Sequence, residues 1–286
     1  MEAYSDPVAL ITGASRGIGK ALAVHLARSG FKVALAARTL EDGEQREHSS
    51  TVKASDTSPL PGSLAATAAL VEEEGGVAMP IFLDITDRAT LGPAVTRVQE
   101  KWGRIDVLVN NARYVGPGHM DRFLDTPFEL LDEHLEGNVM APVILARLVL
   151  PGMIQRGRGC VITITSRAGI ANPPAPAGEG GWGLGYALSK GAVCRLVGII
   201  DVEHRQDGIR AFNLNPGTIR TERMAQDMKA FGFDADAGAS PDLIGAAAAW
   251  LATSKDADAL RGQWVEGQAL CLHWRCGYFF LSHHWH

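Results

Sequence analysis

The stretch Val8-Ala9-Leu10-Ile11-Thr12-Gly13-Ala14-Ser15-Arg16-Gly17-Ile18-Gly19 joins an apolar run to a glycine-rich turn and then to a helical pattern. Its first five residues have the length and composition of a buried strand. Gly13, Gly17 and Gly19 permit a tight turn, and they let backbone N–H groups approach a bound molecule closely. Because the turn opens a helix, those N–H groups predict a binding site for a phosphate or diphosphate group.

Apolar runs and helical patterns alternate along the rest of the chain. Strands are predicted at Val8–Thr12, Lys32–Ala36, Ala78–Leu83, Val107–Val109, Val161–Thr165 and Arg210–Leu214, and helices near 18–29, 63–74, 88–102, 127–150, 184–205 and 241–253. Strands that are apolar on both faces are typical of parallel sheets covered by helices. The pattern predicts an α/β fold with a single doubly wound, Rossmann-type parallel sheet, helices on both faces and ligands at the carboxyl ends of the strands.

Composition excludes several classes of protein. The 286 residues are 46% hydrophobic with a net charge of −5, which suits one substantial core and no basic surface for nucleic acid. Residues 1–7 lack the apolar core of a secretory signal, and the apolar run Val139–Leu150, interrupted by Arg147, is too short to span a bilayer. The four cysteines show no disulfide framework. We therefore expect a cytoplasmic protein without nucleic-acid or membrane partners.

Three polar residues indicate acid–base chemistry. Tyr186 and Lys190 lie four residues apart at the start of a helical stretch, which places a phenol and an ammonium group side by side. Such a pair alone is more often a packed phenol beside a solvated amine, but a nearby ammonium group also stabilises a phenolate. Ser166 ends a β-branched run upstream. Together with a nucleotide-binding turn, these groups supply what hydride transfer to or from a carbonyl requires.

The turn after the second strand indicates which cofactor is preferred. Ala36-Ala37-Arg38-Thr39 contains no carboxylate that could accept a hydrogen bond from a ribose 2′-hydroxyl. Arg38 and Arg16 instead supply guanidinium groups suited to a 2′-phosphate, unless both are solvated surface charges. NADP is therefore favoured over NAD.

Polar residues also end the third and fourth strands. Asp84 could accept from an adenine amino group or cap the helix that follows, for which Asp87 is better placed. The amides of Asn110-Asn111-Ala112 could connect adjacent loops and face the cofactor, or simply form a turn.

These segments together resemble those of the short-chain dehydrogenase/reductases, from Val8 to about Gly267. The matching segments occur in the family's order and are Thr12 to Gly19, Asp84, Asn110-Asn111-Ala112, Asn138, Ser166, Tyr186-Ala187-Leu188-Ser189-Lys190, and Asn215-Pro216-Gly217-Thr218 with Thr221. The long segment after the second strand is similar to the hydroxysteroid-dehydrogenase-like branch.

The resemblance implies a role for each of four catalytic residues. Tyr186 would be the general acid in reduction and the general base in oxidation. Lys190 would stabilise its phenolate and hold the nicotinamide ribose. Ser166 would orient the substrate oxygen, and Asn138 would hold a water that links Lys190 to solvent.

The resemblance also implies a set of cofactor contacts. Pro216, Gly217 and Thr218 would line the nicotinamide, with Thr221 near its carboxamide or the diphosphate. The full set of cofactor-binding residues is Gly13, Ser15, Arg16, Gly17, Ile18, Gly19, Arg38, Asp84, Ile85, Asn111, Ala112, Tyr186, Lys190, Pro216, Gly217, Thr218 and Thr221.

Two features depart from the family pattern. Arg113 stands where the family usually has glycine after Asn-Asn-Ala. We expect its side chain to point to solvent; pointing inward, it would favour a substrate carboxylate or phosphate. The interval between Ser166 and Tyr186 is longer than usual, which requires a bulging loop.

Three segments interrupt the α/β rhythm. The polar composition of Leu40–Pro61 favours a disordered excursion. Asn172–Gly185, rich in proline and glycine, is expected to form one lip of the pocket. We divide the chain into a catalytic domain, 1–270, and an apolar tail, 271–286, at a subunit interface or pocket rim. The cysteines and histidines of the tail do not match a metal-ligand spacing, and no metal is expected.

The sequence thus predicts an NADP-dependent oxidoreductase that interconverts a ketone or aldehyde and an alcohol. Alternatives are a non-catalytic NADP-sensing protein and an enoyl reductase. An apolar substrate and pocket are expected from Tyr114, Met120, Trp182, Met224, Met228, Phe231 and Phe233. The family resemblance implies a homodimer or homotetramer assembled through the helices near 130–150 and 184–203.

Overall fold

The protein is described here by a computed structural model that covers residues 6–226, 231–232, 234 and 238–274. Its strands are β1 (Val8–Thr12), β2 (Lys32–Ala37), β3 (Ala78–Phe82), β4 (Val107–Asn110), β5 (Gly159–Ile164), β6 (Ile209–Asn215) and β7 (Trp264–Glu266). Its helices are α1 (Gly17–Arg28), α2 (Leu64–Glu73), α3 (Arg88–Trp102), α4 (Phe128–Leu135), α5 (Ala141–Gln155), α6 (Leu184–His204), α7 (Glu222–Gln226), α8 (Pro241–Thr253) and α9 (Gly267–Trp274).

The strands form one parallel sheet in the order β3-β2-β1-β4-β5-β6-β7. Its two faces are covered by different helices. Ile11 and Leu35 point to the core under α1, α2, α8 and α9, whereas Leu10 and Ala34 point to the core under α3, α5 and α6. This alternation buries both faces of the central strands, as their continuous apolar runs predict. The predicted doubly wound parallel sheet is confirmed.

Side-chain caps fix where several helices begin. The Ser63 hydroxyl accepts a hydrogen bond from the Ala66 N–H (3.0 Å), and the Asp87 carboxylate accepts one from the Ala89 N–H (3.0 Å). Each cap satisfies a backbone donor that has no partner within its own helix. Asp87 therefore caps α3, as its position in the sequence predicts, and Asp84 does not cap this helix.

The helix predicted over 127–150 is longer and is interrupted. A π-helical turn, Glu136–Met140, connects α4 to α5, which continues to Gln155. The combined segment Phe128–Gln155 is long and apolar enough to cross a membrane by length and composition alone, but half of its most apolar window is buried within the protein. Leu145 and Val149, for example, pack in the core under one face of the sheet.

The segment Leu40–Pro61 is not the disordered excursion that its composition suggests. It buries His48 and Ser50, and the buried carboxylate of Asp121 accepts hydrogen bonds from the Thr51 hydroxyl (2.5 Å) and the following backbone N–H (2.9 Å). Polar anchors from distant parts of the chain order this segment. A composition-based prediction fails here because it takes no account of such partners.

The strand β7 and the helix α9 were not predicted. β7 pairs with β6 at the edge of the sheet, and α9 runs across the predicted domain boundary at residue 270. Cys271 is buried, and its thiol donates to the Leu243 carbonyl (3.0 Å). Residues 275–286 lie outside the described residues, so the predicted apolar tail stays a prediction. In the part of the chain that is described, no group of three or more His, Cys, Asp and Glu side chains could hold a metal ion.

Candidate active site

A cavity of about 560 Å³ lies at the carboxyl ends of the parallel strands. Parallel α/β sheets place their ligand sites at this edge. Every residue predicted to contact the cofactor lines this cavity, and so do Ser166, Tyr186 and Lys190. Asn138 is the one predicted catalytic residue that is not among the lining residues of this cavity.

The glycine-rich turn requires its glycines because the backbone is crowded. Gly13 has a φ of +69°, and a side-chain carbon there would lie 2.9 Å from the Ala112 Cα. At Gly19 such a carbon would lie 2.0 Å from the Gly13 carbonyl oxygen. Only glycine fits these positions. The turn therefore brings the N-terminus of α1 to the cavity, as its sequence predicts.

A carboxylate lies at the N-terminus of α1. The Glu222 side chain accepts hydrogen bonds from the Gly17 N–H (3.0 Å) and the Lys20 ammonium (2.6 Å). Burial alone would raise the pKa of Glu222, but the hydrogen bonds from Lys20 and the backbone outweigh it and hold this pKa below its usual range. The turn thus holds an anion of its own, which shows that its donors suit a negatively charged group. Glu222, which directly follows the predicted Thr221, was not predicted to belong to the site.

The two arginines predicted to hold a 2′-phosphate have different surroundings. Arg38 is half-buried, and its guanidinium lies 3.7 Å from the Asp84 carboxylate. Arg16 donates to the carbonyl oxygens of Pro61 (2.9 Å) and Gly62 (2.6 Å). Arg16 therefore fastens the end of the 40–61 segment, whereas Arg38 is oriented by a carboxylate at the end of β3.

The amide of Asn111 connects two strand ends. Its Nδ2 group donates to the carbonyl oxygens of Thr12 (2.8 Å) and Gly13 (3.2 Å). The Thr12 hydroxyl in turn accepts from the backbone N–H groups of Asn111 and Ala112, both at 3.0 Å. The sequence left open whether the amides of Asn110-Asn111-Ala112 connect adjacent loops or only form a turn. In the structure the Asn111 amide connects adjacent loops.

The nicotinamide end of the predicted site is formed by the turn after β6. Gly217 has a φ of +67°, which favours glycine. The side-chain amide of Gln268 donates to the carbonyl oxygens of Pro216 (2.9 Å) and Thr218 (3.1 Å). Gln268 lies on α9, so a helix that was not predicted holds this turn in place.

The proposed catalytic side chains come from β5 and α6. Ser166 follows β5, and its hydroxyl caps a short 3₁₀ turn by accepting from the Ala168 N–H (3.2 Å). Tyr186 and Lys190 lie one helical turn apart on α6. Lys190 is buried, and its ammonium group donates to the Ile164 carbonyl (2.8 Å). The end of β5 and the start of α6 therefore place the Ser166, Tyr186 and Lys190 side chains at the same cavity.

Burial lowers the pKa of Lys190 to about 8, and the nearby charge of Arg113 acts in the same direction. The hydrogen bond to the Ile164 carbonyl favours the ammonium form, because an ammonium group is a better donor than an amine.

Asn138 lies in the π-helical turn and connects two elements. Its Oδ1 accepts from the Tyr114 N–H (2.6 Å), and its Nδ2 donates to the Ser189 hydroxyl (2.9 Å). The side chain thus holds the segment after β4 against the helix that carries Lys190. The water relay that the family resemblance implies for Asn138 stays a prediction.

Arg113 points into the cavity, so the expectation that it faces solvent is wrong. Its guanidinium carbon lies 5.8 Å from the centroid of the Tyr186 ring, and its Nη1 lies 3.3 Å from Nδ1 of His119. The same Nη1 donates to the Tyr114 carbonyl (3.2 Å). A charge in place of the family's usual glycine therefore enters the proposed catalytic end of the cavity.

The apolar residues predicted to form the substrate pocket are found only in part at the catalytic end of the cavity. Tyr114, Met120, Trp182 and Met224 line the cavity. Trp182 belongs to the loop that was expected to form one lip of the pocket. Phe231 is not among the lining residues, and Met228 and Phe233 lie outside the described residues. Several polar lining residues were not predicted, because no local motif marks them; among these are Arg46, His48, His119 and Arg223.

The chain is similar to known oxidoreductases. A family model described as short chain dehydrogenase matches residues 7–230. Oxidoreductase UcpA of Salmonella typhimurium is 34% identical, over 77% of this chain and 72% of that protein. The crystal structure of a metagenomic short-chain oxidoreductase in complex with NADP is 30% identical, with a TM-score of 0.67, and the match covers 87% of this chain and 92% of that one.

The predicted branch within the family has weaker support. Hydroxysteroid dehydrogenase-like protein 2 of Danio rerio is 36% identical, but only over 51% of this chain and 31% of that protein. Membership of that branch stays a prediction. The match along residues 7–230, which contain the glycine turn and the Ser166, Tyr186 and Lys190 side chains, shows that this chain is an oxidoreductase of the short-chain dehydrogenase/reductase family.

Proposed function

We propose that the protein is an NADP-dependent enzyme that interconverts a ketone or aldehyde and the corresponding alcohol. The observation that carries this proposal is the convergence of the Gly13–Gly19 turn with Ser166, Tyr186 and Lys190 on one cavity. A site for a nucleotide phosphate and a site for a proton donor are thereby placed within one enclosed space, as hydride transfer to a carbonyl requires.

The residues present fit a dinucleotide cofactor. The N-terminus of α1 binds the Glu222 carboxylate, so its N–H groups are suited to an anion such as a diphosphate. A side-chain carbon at Gly19 would clash with the Gly13 carbonyl, so the tight turn depends on glycine there. The turn would hold the diphosphate, Arg38 the 2′-phosphate, and Lys190 the nicotinamide ribose. When bound, a nicotinamide cofactor supplies or accepts a hydride.

The chain's own residues would then handle the proton and the orientation of the substrate. Tyr186 would donate a proton from its hydroxyl to the carbonyl oxygen during reduction, and take it back during oxidation. The Ser166 hydroxyl would donate to the same oxygen and keep it beside the phenol. The ammonium group of Lys190 would stabilise the phenolate that remains.

The preference for NADP is supported by Arg38. Its guanidinium follows β2, at the place where an NAD-binding turn carries a carboxylate for the ribose hydroxyls. Asp84 lies 3.7 Å from Arg38, which holds the guanidinium at the rim of the cavity. The relative crystallised with NADP supports the same preference.

The alternatives are less well supported. A protein that only senses NADP has no need of a phenol, a hydroxyl and an ammonium group at one end of its cavity. An enoyl reductase reduces a C=C bond and not a carbonyl group. The pairing of the Ser166 hydroxyl with Tyr186 suits a carbonyl oxygen that receives a proton, and it therefore favours a carbonyl reductase.

A homo-oligomer and a cytoplasmic location are further parts of the proposal. Leu188, Ile199 and Val202 on α6 are exposed apolar side chains, with 45%, 52% and 83% of their surface accessible. A partner subunit would cover them. Sedimentation of the purified protein tests this assembly, because a monomer at micromolar concentration contradicts it.

Turnover assays test the proposed function directly. NADPH and NADH oxidation would be followed with a panel of aliphatic, aromatic and keto-acid carbonyls, and the reverse reaction with their alcohols. We expect turnover with NADPH of at least one carbonyl and a higher kcat/KM for NADPH than for NADH. Tight NADPH binding without turnover of any carbonyl would favour the sensor.

A further inference from the structure

The Arg113 guanidinium is held in the cavity by contacts of its own and by hydrogen bonds of the backbone on either side of it. The N–H before it, that of Ala112, donates to the Thr12 hydroxyl (3.0 Å), and the N–H after it, that of Tyr114, donates to the Asn138 amide oxygen (2.6 Å). Arg113 also donates to the Tyr114 carbonyl (3.2 Å). The flanking amides fix the backbone of Arg113, and the contacts of its guanidinium with the Tyr114 carbonyl and His119 place it beside the Tyr186 ring.

His119 adds a second polar group next to Arg113. Arginine is only a donor, so the 3.3 Å contact with Nη1 makes Nδ1 of His119 an acceptor and places the imidazole proton on Nε2. The His119 ring lies 4.4 Å from the ring of Tyr186. An imidazole donor and a guanidinium thus flank the phenol.

Several cations lie near His119 at this end of the cavity. Burial is the main cause that holds the pKa of His119 well below its usual range, and Arg113, Arg223, His134 and Lys190 act in the same direction. Arg223 is itself buried, and it donates to the His48 carbonyl (2.9 Å). Arg113 is the cation with a direct contact to this imidazole, and in a partly desolvated space its charge attracts an anionic ligand more strongly than it would in water.

We propose that the substrate carries a carboxylate, which Arg113 binds beside the carbonyl group that Tyr186 protonates. The guanidinium has five N–H donors in a planar fork, a geometry that matches a carboxylate. The remainder of this end, with Met120, Trp182 and Met224, suits an apolar body between the two polar groups. The substrate class is thus that of keto acids or hydroxy acids with an apolar portion, whereas the sequence favoured a small apolar carbonyl compound or alcohol.

This inference rests on the proposed function, so its test uses matched pairs of carbonyl compounds. The probes are β-benzoylpropionate and γ-benzoylbutyrate, together with their methyl esters, which keep the ketone and remove the charge. For the parent enzyme with NADPH we expect a kcat/KM for at least one acid about tenfold or more above that for its ester, since only the acid can form a charge-assisted pair with the guanidinium.

Two substitutions assign that preference to Arg113. In Arg113→Gln the ratio of acid to ester should fall to about one, whereas Arg113→Lys should retain part of it because the charge remains. The dissociation constant of NADPH, measured by fluorescence, separates substrate binding from cofactor binding. Equal kcat/KM values for acids and esters in the parent would overturn the inference, as would an unchanged ratio in Arg113→Gln or a loss explained by weaker NADPH binding.

A binding experiment keeps the two proposals distinguishable. Calorimetric titration of γ-phenylbutyrate and γ-phenylbutyramide into the NADPH-loaded protein requires no turnover. Binding of the acid but not the amide, abolished in Arg113→Gln, supports the carboxylate site even if no carbonyl is reduced, in which case the proposed function fails. Reduction of esters and acids at equal rates, without acid binding, leaves the proposed function standing and overturns the carboxylate site.

Discussion

Glu222 and Gly17 are joined by a hydrogen bond of 3.0 Å, in which the Glu222 carboxylate accepts from the first N–H of α1. The two residues are 205 positions apart in the chain. The carboxylate therefore occupies the end of the helix where the diphosphate of a cofactor is expected to bind. Two negative groups cannot both take these donors without mutual repulsion, so cofactor binding should displace Glu222.

We expect Glu222→Gln to bind NADPH more tightly than the parent protein. Removal of one charge about 4 Å from the phosphates is worth about 1 kcal/mol in water, or roughly fivefold in affinity. Fluorescence titration with NADPH at two salt concentrations would measure the effect, which should shrink at high salt. Glu74→Gln, in the exposed pair of Glu74 with Arg28, is the matched control and should change nothing. Weaker binding in Glu222→Gln would show that this carboxylate supports the cofactor site.

Tyr186→Phe should lose turnover and keep cofactor binding. The substitution removes only the hydroxyl that would transfer the proton, and such transfer contributes about 10² to 10⁴-fold to the rate. Steady-state kinetics with NADPH and any carbonyl that the parent reduces would measure the loss, with NADPH affinity as the control. Activity within twofold of the parent would remove Tyr186 from the mechanism.

Arg38→Asp should move the cofactor preference from NADP toward NAD. The change deletes a charge-assisted contact with the 2′-phosphate and introduces a carboxylate that repels phosphate and accepts from a hydroxyl. The ratio of kcat/KM for the two cofactors measures the shift. Arg16→Ala serves as the comparison. Because Arg16 donates to the carbonyl oxygens of Pro61 and Gly62, its loss should alter the ratio of kcat/KM for the two cofactors less than Arg38→Asp does. An unchanged ratio in Arg38→Asp would show that Arg38 does not select the cofactor.

His134 should make the native state sensitive to acid. Burial lowers the pKa of His134 to about 4 from its usual 6.5, with the charge of Arg113 as a further cause. Below pH 6.5 the His134 imidazole is protonated in the unfolded chain, whereas in the native state it becomes protonated only near pH 4. The free energy of unfolding therefore falls as the pH drops through this window, by no more than roughly 3–4 kcal/mol.

Urea unfolding at pH 7 and at pH 4.5 would measure this loss. The difference should be smaller in His134→Gln than in the parent, because glutamine does not titrate. His204→Gln is the control, since His204 is partly exposed beside Asp207. An equal pH dependence in the parent and in His134→Gln would contradict the assignment.

The main features of the fold and of the nucleotide site could be predicted from local sequence. Gly13 and Gly19 are required by backbone crowding within one turn, and the strands are recognisable because both of their faces are apolar. Tyr186 and Lys190 are neighbours through helix geometry alone. These features depend on residues a few positions apart, so their spacing is sufficient to identify them.

Only the tertiary structure decided which charges enter the cavity. The direction of Arg113 depends on Thr12 and Asn138, which hold the backbone on either side of it. The order of the 40–61 segment depends on Asp121, and the carboxylate at α1 comes from Glu222. Each of these contacts joins residues far apart in the chain, and the energy of a charge depends on burial and on its partners. The sequence by itself therefore determined the fold and the proposed reaction class, whereas the packing of distant segments decided the charge of the substrate end.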